Sequence, residues 1–163
     1  MPVNKKPDGW YWGDTHGPFD TKQKAIQVGQ AAHAAGFKES IMDPIVGTFV
    51  STLLHSATLT HLMHFKTPSY ATHVALQAYY EGIPELVDGL VESIQGAYET
   101  IIEPYPSMFG NGNNDDPLSY IISLRNYVRD YRSEMPQDSE IQNEIDSIAT
   151  LLNQTVYKLK FLK

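Results

Sequence analysis

Between residues 103 and 115 the chain reads Glu-Pro-Tyr-Pro-Ser-Met-Phe-Gly-Asn-Gly-Asn-Asn-Asp, an irregular stretch set between two strongly helical patterns. Proline removes backbone donors and the Gly-Asn run favours turns, so no regular element crosses it. A short loop forces the next helix back alongside its predecessor. Roughly a dozen residues at about 3.4 Å each can instead traverse a helix bundle end to end, so the next helix can run parallel to the last. This segment therefore predicts a crossover connection.

The helices on either side are read from apolar spacing and caps. Asp43-Pro44 is a cap followed by proline at the first helical position, and Val46, Phe49, Val50, Leu53, Leu54 and Ala57 predict a helix to about Phe65. Lys66-Thr67-Pro68-Ser69 breaks it and opens a second, through Tyr80, Leu86, Val87, Leu90 and Val91 to about Tyr98, with a kink expected at Pro84. Asp116-Pro117 repeats the cap signal before Leu118, Ile121, Ile122, Leu124, Tyr127, Val128 and Tyr131. Ser139 with Gln142 forms a capping box for a last helix carrying Ile141, Ile145, Ile148, Leu152, Val156 and Leu159.

The expected fold is all-α: a four-helix bundle with a long crossover loop over residues 40–163, preceded by a small N-terminal strand-turn-helix appendage over residues 1–38. In that appendage Gly9-Trp10-Tyr11-Trp12-Gly13 is strand-prone, Asp20 is read as an N-cap, and Thr21 to Ala35 form a helix closed by Gly36. Trp10, Tyr11 and Trp12 are read as packing aromatics, because so small a module lacks a core of its own.

Composition narrows the function. No apolar run reaches the roughly 18 residues that span a bilayer, and the first eight residues are polar, so a soluble, unsecreted, cytoplasmic protein is expected. There is no cysteine, which leaves His, carboxylate, carbonyl or water to hold any metal. A net charge of -7 without a basic tail disfavours nucleic acid as a partner. Neither a phosphate-binding Gly-rich loop nor a Gly-x-Ser-x-Gly elbow occurs. No Glu-x-x-His occurs either, which argues against a di-iron carboxylate centre inside one bundle.

What remains is a set of ligand-type residues around the first long helical turn. Asp88 and Glu92 lie one helical turn apart and offer hard oxygen donors on one face, while His64 and His73 flank the Thr67-Pro68 bend. Two imidazoles and two carboxylates make a mixed set suited to iron, zinc or manganese. His73 and Asp88 are separated by about 22 Å along one helix at 1.5 Å per residue, so a single chain does not bring them together. Antiparallel pairing of two hairpins about a two-fold axis does, giving a homo-oligomer with two equivalent intersubunit sites. His61, one turn before His64, is either an additional ligand or an orienting partner, and His55 and His33 have weaker claims. The bland alternative is a solvated carboxylate face beside hydrogen-bonded structural histidines.

The run from Leu59 to Ile94 resembles the Dps-like branch of the ferritin-like superfamily. His64-Phe65-Lys66-Thr67-Pro68 looks like that family's His-Trp and turn, His73 its second histidine, and Asp88-x-x-x-Glu92 its Asp-x-x-x-Glu. The resemblance implies a ferritin-like bundle in which these four residues bind iron between subunits and could oxidise it. With Thr155-Val156-Tyr157-Lys158-Leu159, the arrangement is closer still to an uncharacterised Dps-like family encoded by tailed phages. That implies a viral source, in the host cytoplasm or the virion. The interval between the histidines is shorter than in Dps proteins, and a basic tail and crossover helix are missing, so the resemblance implies the site more than a large cage. Two other readings stay open: a non-catalytic phage structural or assembly protein that uses the bundle as a scaffold for a virion or host partner, and a bundle that binds a small molecule between subunits.

Overall fold

The computed structural model describes residues 3–12, 16–34, 44–108 and 116–162. The signals read at Gly13, Gly36 and Asp43, the 110–114 run, and the side chain of His33 lie outside the described residues. The chain is mostly helical with a small antiparallel sheet near its start, and it divides into two compact units, Met1–Glu39 and Ser40–Lys163.

In the first unit, β1 (Val3–Lys6), β2 (Gly9–Trp12) and β3 (His16–Phe19) form a sheet of order β1-β2-β3, and α1 (Lys22–Ala34) packs on it. One strand was expected from sequence and three form. Val3-Asn4-Lys5-Lys6 lacks apolar alternation, but pairing with β2 sets the Lys5 ammonium 5.6 Å from the Trp10 ring and that of Lys6 4.5 Å from the Tyr11 ring. Gly17-Pro18 lies in β3 at the sheet edge, where a missing backbone donor is tolerated. The α1 cap is Thr21, not Asp20: the Lys24 N–H donates to Thr21 Oγ1 at 3.2 Å.

The second unit contains α2 (Pro44–Lys66), α3 (Tyr70–Tyr98), α4 (Pro117–Tyr131) and α5 (Ser139–Phe161), with a short 3-10 turn at Arg132–Glu134. Asp116 caps α4 as expected, accepting from the Ser119 N–H at 3.0 Å; it also accepts from the Ser119 hydroxyl, and that bond first, with the backbone bond behind it, holds its carboxyl below the usual range. Ser139 departs from expectation: it is the first helical residue, its hydroxyl donating to Glu140, while Gln142 donates to the Pro136 carbonyl. No described helix is long and apolar enough to cross a membrane.

All four helices contribute to one core, including Phe49 and Leu53 of α2, Tyr79, Ile83 and Leu90 of α3, Ile121 of α4 and Ile145 of α5, each inaccessible to solvent. Contacts fix the directions. His64 meets His73 and Ser56 meets Tyr79, so α2 and α3 are antiparallel. Gly82 lies beside Leu151 and Gly89 beside Glu144, so α3 and α5 are antiparallel. Arg132 at the end of α4 reaches Gln142 and Asp146 near the start of α5. It follows that α3 and α4 run parallel. The chain leaves α3 at left-handed Glu99 and seats Ile102 in the core, the Ile102 N–H donating to Gln95 Oε1 at 3.0 Å. It then lays the Pro104 carbonyl against Gly47 of α2.

One polar pair sits inside this core. The Ser56 hydroxyl donates to the Leu53 carbonyl at 2.6 Å, so at the 2.7 Å contact with Tyr79 the phenol is the donor. Burial pushes the Tyr79 phenol well above its ordinary pKa. Ser56→Ala is expected to cost about 1–3 kcal/mol by leaving that hydroxyl unpaired, whereas Ser56→Ala/Tyr79→Phe recovers most of the loss. Urea unfolding of the two variants checks it; a double variant no better than the single one contradicts this pairing.

Candidate metal centre

Pro68 stops α2, because it can neither donate to the helix nor allow Thr67 a helical conformation. The turn closes tightly around it. The Thr67 N–H donates to the Met63 carbonyl at 3.1 Å, and Ser69 restarts the chain as the α3 cap, accepting from the Thr72 N–H at 3.3 Å. His64 is thereby placed in the last turn of α2 and His73 in the first turn of α3, facing each other.

The two imidazoles stack with centroids 3.5 Å apart and an interplanar angle of 25°. His64 Nδ1 lies 3.0 Å from the His73 carbonyl oxygen, and His73 Nδ1 lies 3.2 Å from the His64 carbonyl oxygen. A carbonyl only accepts, so each Nδ1 is the protonated nitrogen and donates. In the neutral ring this leaves Nε2 as the lone-pair donor, the tautomer that metal-binding histidines adopt when a backbone carbonyl orients them. Among the described residues neither Nε2 has a protein hydrogen-bond partner. His64 is buried and His73 half-buried, so both rings are held rather than free to rotate.

His61 takes a different place. Its ring stacks on Tyr80 at 4.0 Å and 17°, leans on Phe65 at 4.5 Å, and meets His64 edge-on at 5.7 Å. It forms part of the wall beside the pair, with Tyr80 closing the wall from α3. Asp88 and Glu92 are exposed further along α3, and among the described residues neither carboxylate has a hydrogen-bond or ion-pair partner. Within one protomer the structure unites His61, His64 and His73 but not Asp88 and Glu92, and no group of three or more ligand-type residues poised for a metal occurs among the described residues. The side chains around the turn are conspicuously apolar for their exposure: Phe65 is 68% and Tyr70 82% accessible, with Leu62 and Val74 also exposed.

Sequence reading missed the exchange of carbonyl hydrogen bonds between the histidines and the stacking of Tyr80 on His61. The nine-residue spacing of His64 and His73 across a proline turn was the only available signal for the first. Nothing in the local pattern marked the second.

A family model described as a family of unknown function (DUF5856) matches residues 64–159, from His64 through most of α5. The matched stretch contains His64, His73, Asp88 and Glu92, and His61 precedes it. No curated protein and no solved structure matches the chain.

Proposed function

The chain belongs to the DUF5856 family, whose function is unknown, and from its own side chains we propose that it is a homo-oligomeric, ferritin-like protein that binds a divalent metal between subunits. His64 and His73 of one protomer and Asp88 and Glu92 of its two-fold mate hold the ion. The observation that carries this reading is the reciprocal Nδ1-to-carbonyl clamp, which sets two adjacent imidazoles in the ligating tautomer.

Three further observations support it. The helix directions, with α3 and α4 parallel and joined by a long connection, support reading the helical unit as a four-helix bundle of the ferritin type. Asp88 and Glu92 are exposed and, among the described residues, unengaged, as ligands awaiting a second chain must be. The apolar skirt of Leu62, Phe65, Tyr70 and Val74 gives the turn end a reason to be covered. Antiparallel pairing of two α2–α3 hairpins sets that end beside the carboxylates of the mate, in a dimer or in a larger assembly built from such dimers.

The donor set fits Fe(II), with zinc and manganese as ions of similar ligand preference. In the redox form of this reading Fe(II) is the substrate and gives one electron to an oxidant. The two carboxylates favour the more highly charged product ion. His61 and Tyr80 flank the histidines and shield them on one side.

Mixing variants tests the proposal. Under anaerobic Fe(II) loading, native mass spectrometry of Asp88→Ala/Glu92→Ala and of His73→Gln should show no bound metal in either. When the two are co-refolded, each mixed dimer regains one intact site of the two. Wild-type stoichiometry in Asp88→Ala/Glu92→Ala, or no recovery in the mixed dimer, overturns the intersubunit assignment. A wild-type protein that takes up no metal overturns the whole reading in favour of a phage scaffold.

A further inference from the structure

The chain contains three arginines, Arg125, Arg129 and Arg132, and all three line one groove between α4 and α5. The groove has a volume of about 240 Å³, with Val128, Ile145 and Ala149 among its walls and Asn126 and Asn153 as further polar groups. Spacings of four and three residues put the guanidiniums on one stripe of α4, where like charges repel one another. In a protein of net charge -7 this is a concentrated positive feature.

Two of the three cations are accounted for by their surroundings. Arg132 donates to Gln142 Oε1 at 2.7 Å and pairs with Asp146, whose carboxyl it holds below the usual range. Arg129 pairs with Asp130 at 3.0 Å and lies in the last turn of α4, where the helix dipole favours a cation. Arg125 lies outside that last turn and, among the described residues, has no hydrogen-bond or ion-pair partner. Neither does Asn153, which faces the same groove from α5.

We propose that this groove is a binding site for a compact, multiply charged oxyanion of the phosphate or pyrophosphate class. Arg125 is the principal anchor, Arg129 shares its charge, and the amides of Asn126 and Asn153 supply further donors. A guanidinium fork matches phosphoryl oxygens two at a time, which suits Arg over Lys at such a site. The ligand is compact because the groove is small and two of its lining arginines are paired with Asp130 and Asp146, carboxylates that repel an extended polyanion such as a nucleic-acid strand. This site lies apart from the histidine turn and does not depend on the metal reading.

Isothermal titration of the full chain with sodium pyrophosphate tests the assignment. Wild-type protein should bind saturably, Arg125→Gln should weaken binding about tenfold or more, and Asn153→Ala should weaken it to a smaller extent. Among the described residues neither side chain has a protein partner to lose, so both variants should keep the wild-type fold by circular dichroism. Lys160→Gln, which removes an equal charge elsewhere on α5, should leave binding within about twofold. No saturable binding, an Arg125→Gln variant that binds like wild type, or equal weakening by Lys160→Gln overturns the site. A single-stranded oligonucleotide that outcompetes pyrophosphate through Arg125 overturns the assignment of a compact ligand.

Discussion

Phe49→Ala is expected to destabilise the helical unit by about 3–5 kcal/mol, a large fraction of the roughly 5–15 kcal/mol that holds a typical domain together. Phe49 is inaccessible to solvent and its ring stacks on Tyr127 at 5.7 Å and 21°. That contact joins α2 to α4, the sparsest of the four seams around the core. Truncation leaves a cavity where little else can close in, and it removes an aromatic pair as well. Phe49→Leu keeps most of the volume and should lose much less. Urea unfolding with an unchanged m-value measures both variants, and a loss below about 1 kcal/mol for the alanine variant would mean that α2 and α4 are not packed through this ring.

The second large effect lies at Gly47. Helix propensity alone favours replacing a helical glycine, by up to about 1 kcal/mol. Here the Pro104 carbonyl occupies the space a β-carbon would need, with Pro106 close behind. Valine at this position has to lift residues 103–106 off α2, and Ile102, fully buried just upstream, is drawn out with them. Losing that side chain from the core costs about 1.5–3 kcal/mol, which outweighs the propensity gain once steric strain is added. Gly47→Val should therefore destabilise by about 2–4 kcal/mol. In the double variant with Ile102→Ala the two losses should fall well short of their sum, because either change unseats the same segment. Strict additivity, or a Gly47→Val variant more stable than wild type, contradicts the close approach.

The long helices were legible because their signals are local. Asp116-Pro117 and the Ile141, Ile145, Ile148, Leu152 series act through cap geometry and helical periodicity, and the helices begin and end within a residue or two of expectation. The parallel course of α3 and α4 was legible from the length of the 103–115 segment. Signals that depend on a partner across space were not. β1 is stabilised by lysines over aromatic rings of the next strand, a pairing invisible in Val-Asn-Lys-Lys taken alone. Asp20 and Thr21 were equally good caps by type, and only backbone geometry selects Thr21.

At the candidate site, residue types and spacing identified His64 and His73 as neighbours, but not the exchange of carbonyl bonds that sets their tautomer. The four and three residue spacing of Arg125, Arg129 and Arg132 was present in the sequence. That it faces a groove depends on α5 bringing Asn153 alongside.

The parallel course of α3 and α4 also shapes how the chain finds its native state. α2 with α3 and α4 with α5 are each near neighbours in sequence, so two helical hairpins assemble through short-range contacts that form quickly. Only the docking of one hairpin on the other requires a distant closure, and its entropic cost grows by just about 0.6 kcal/mol for each doubling of the linking length. The segment between the hairpins can thus lengthen or acquire new residues over evolutionary time while both halves keep their own registers.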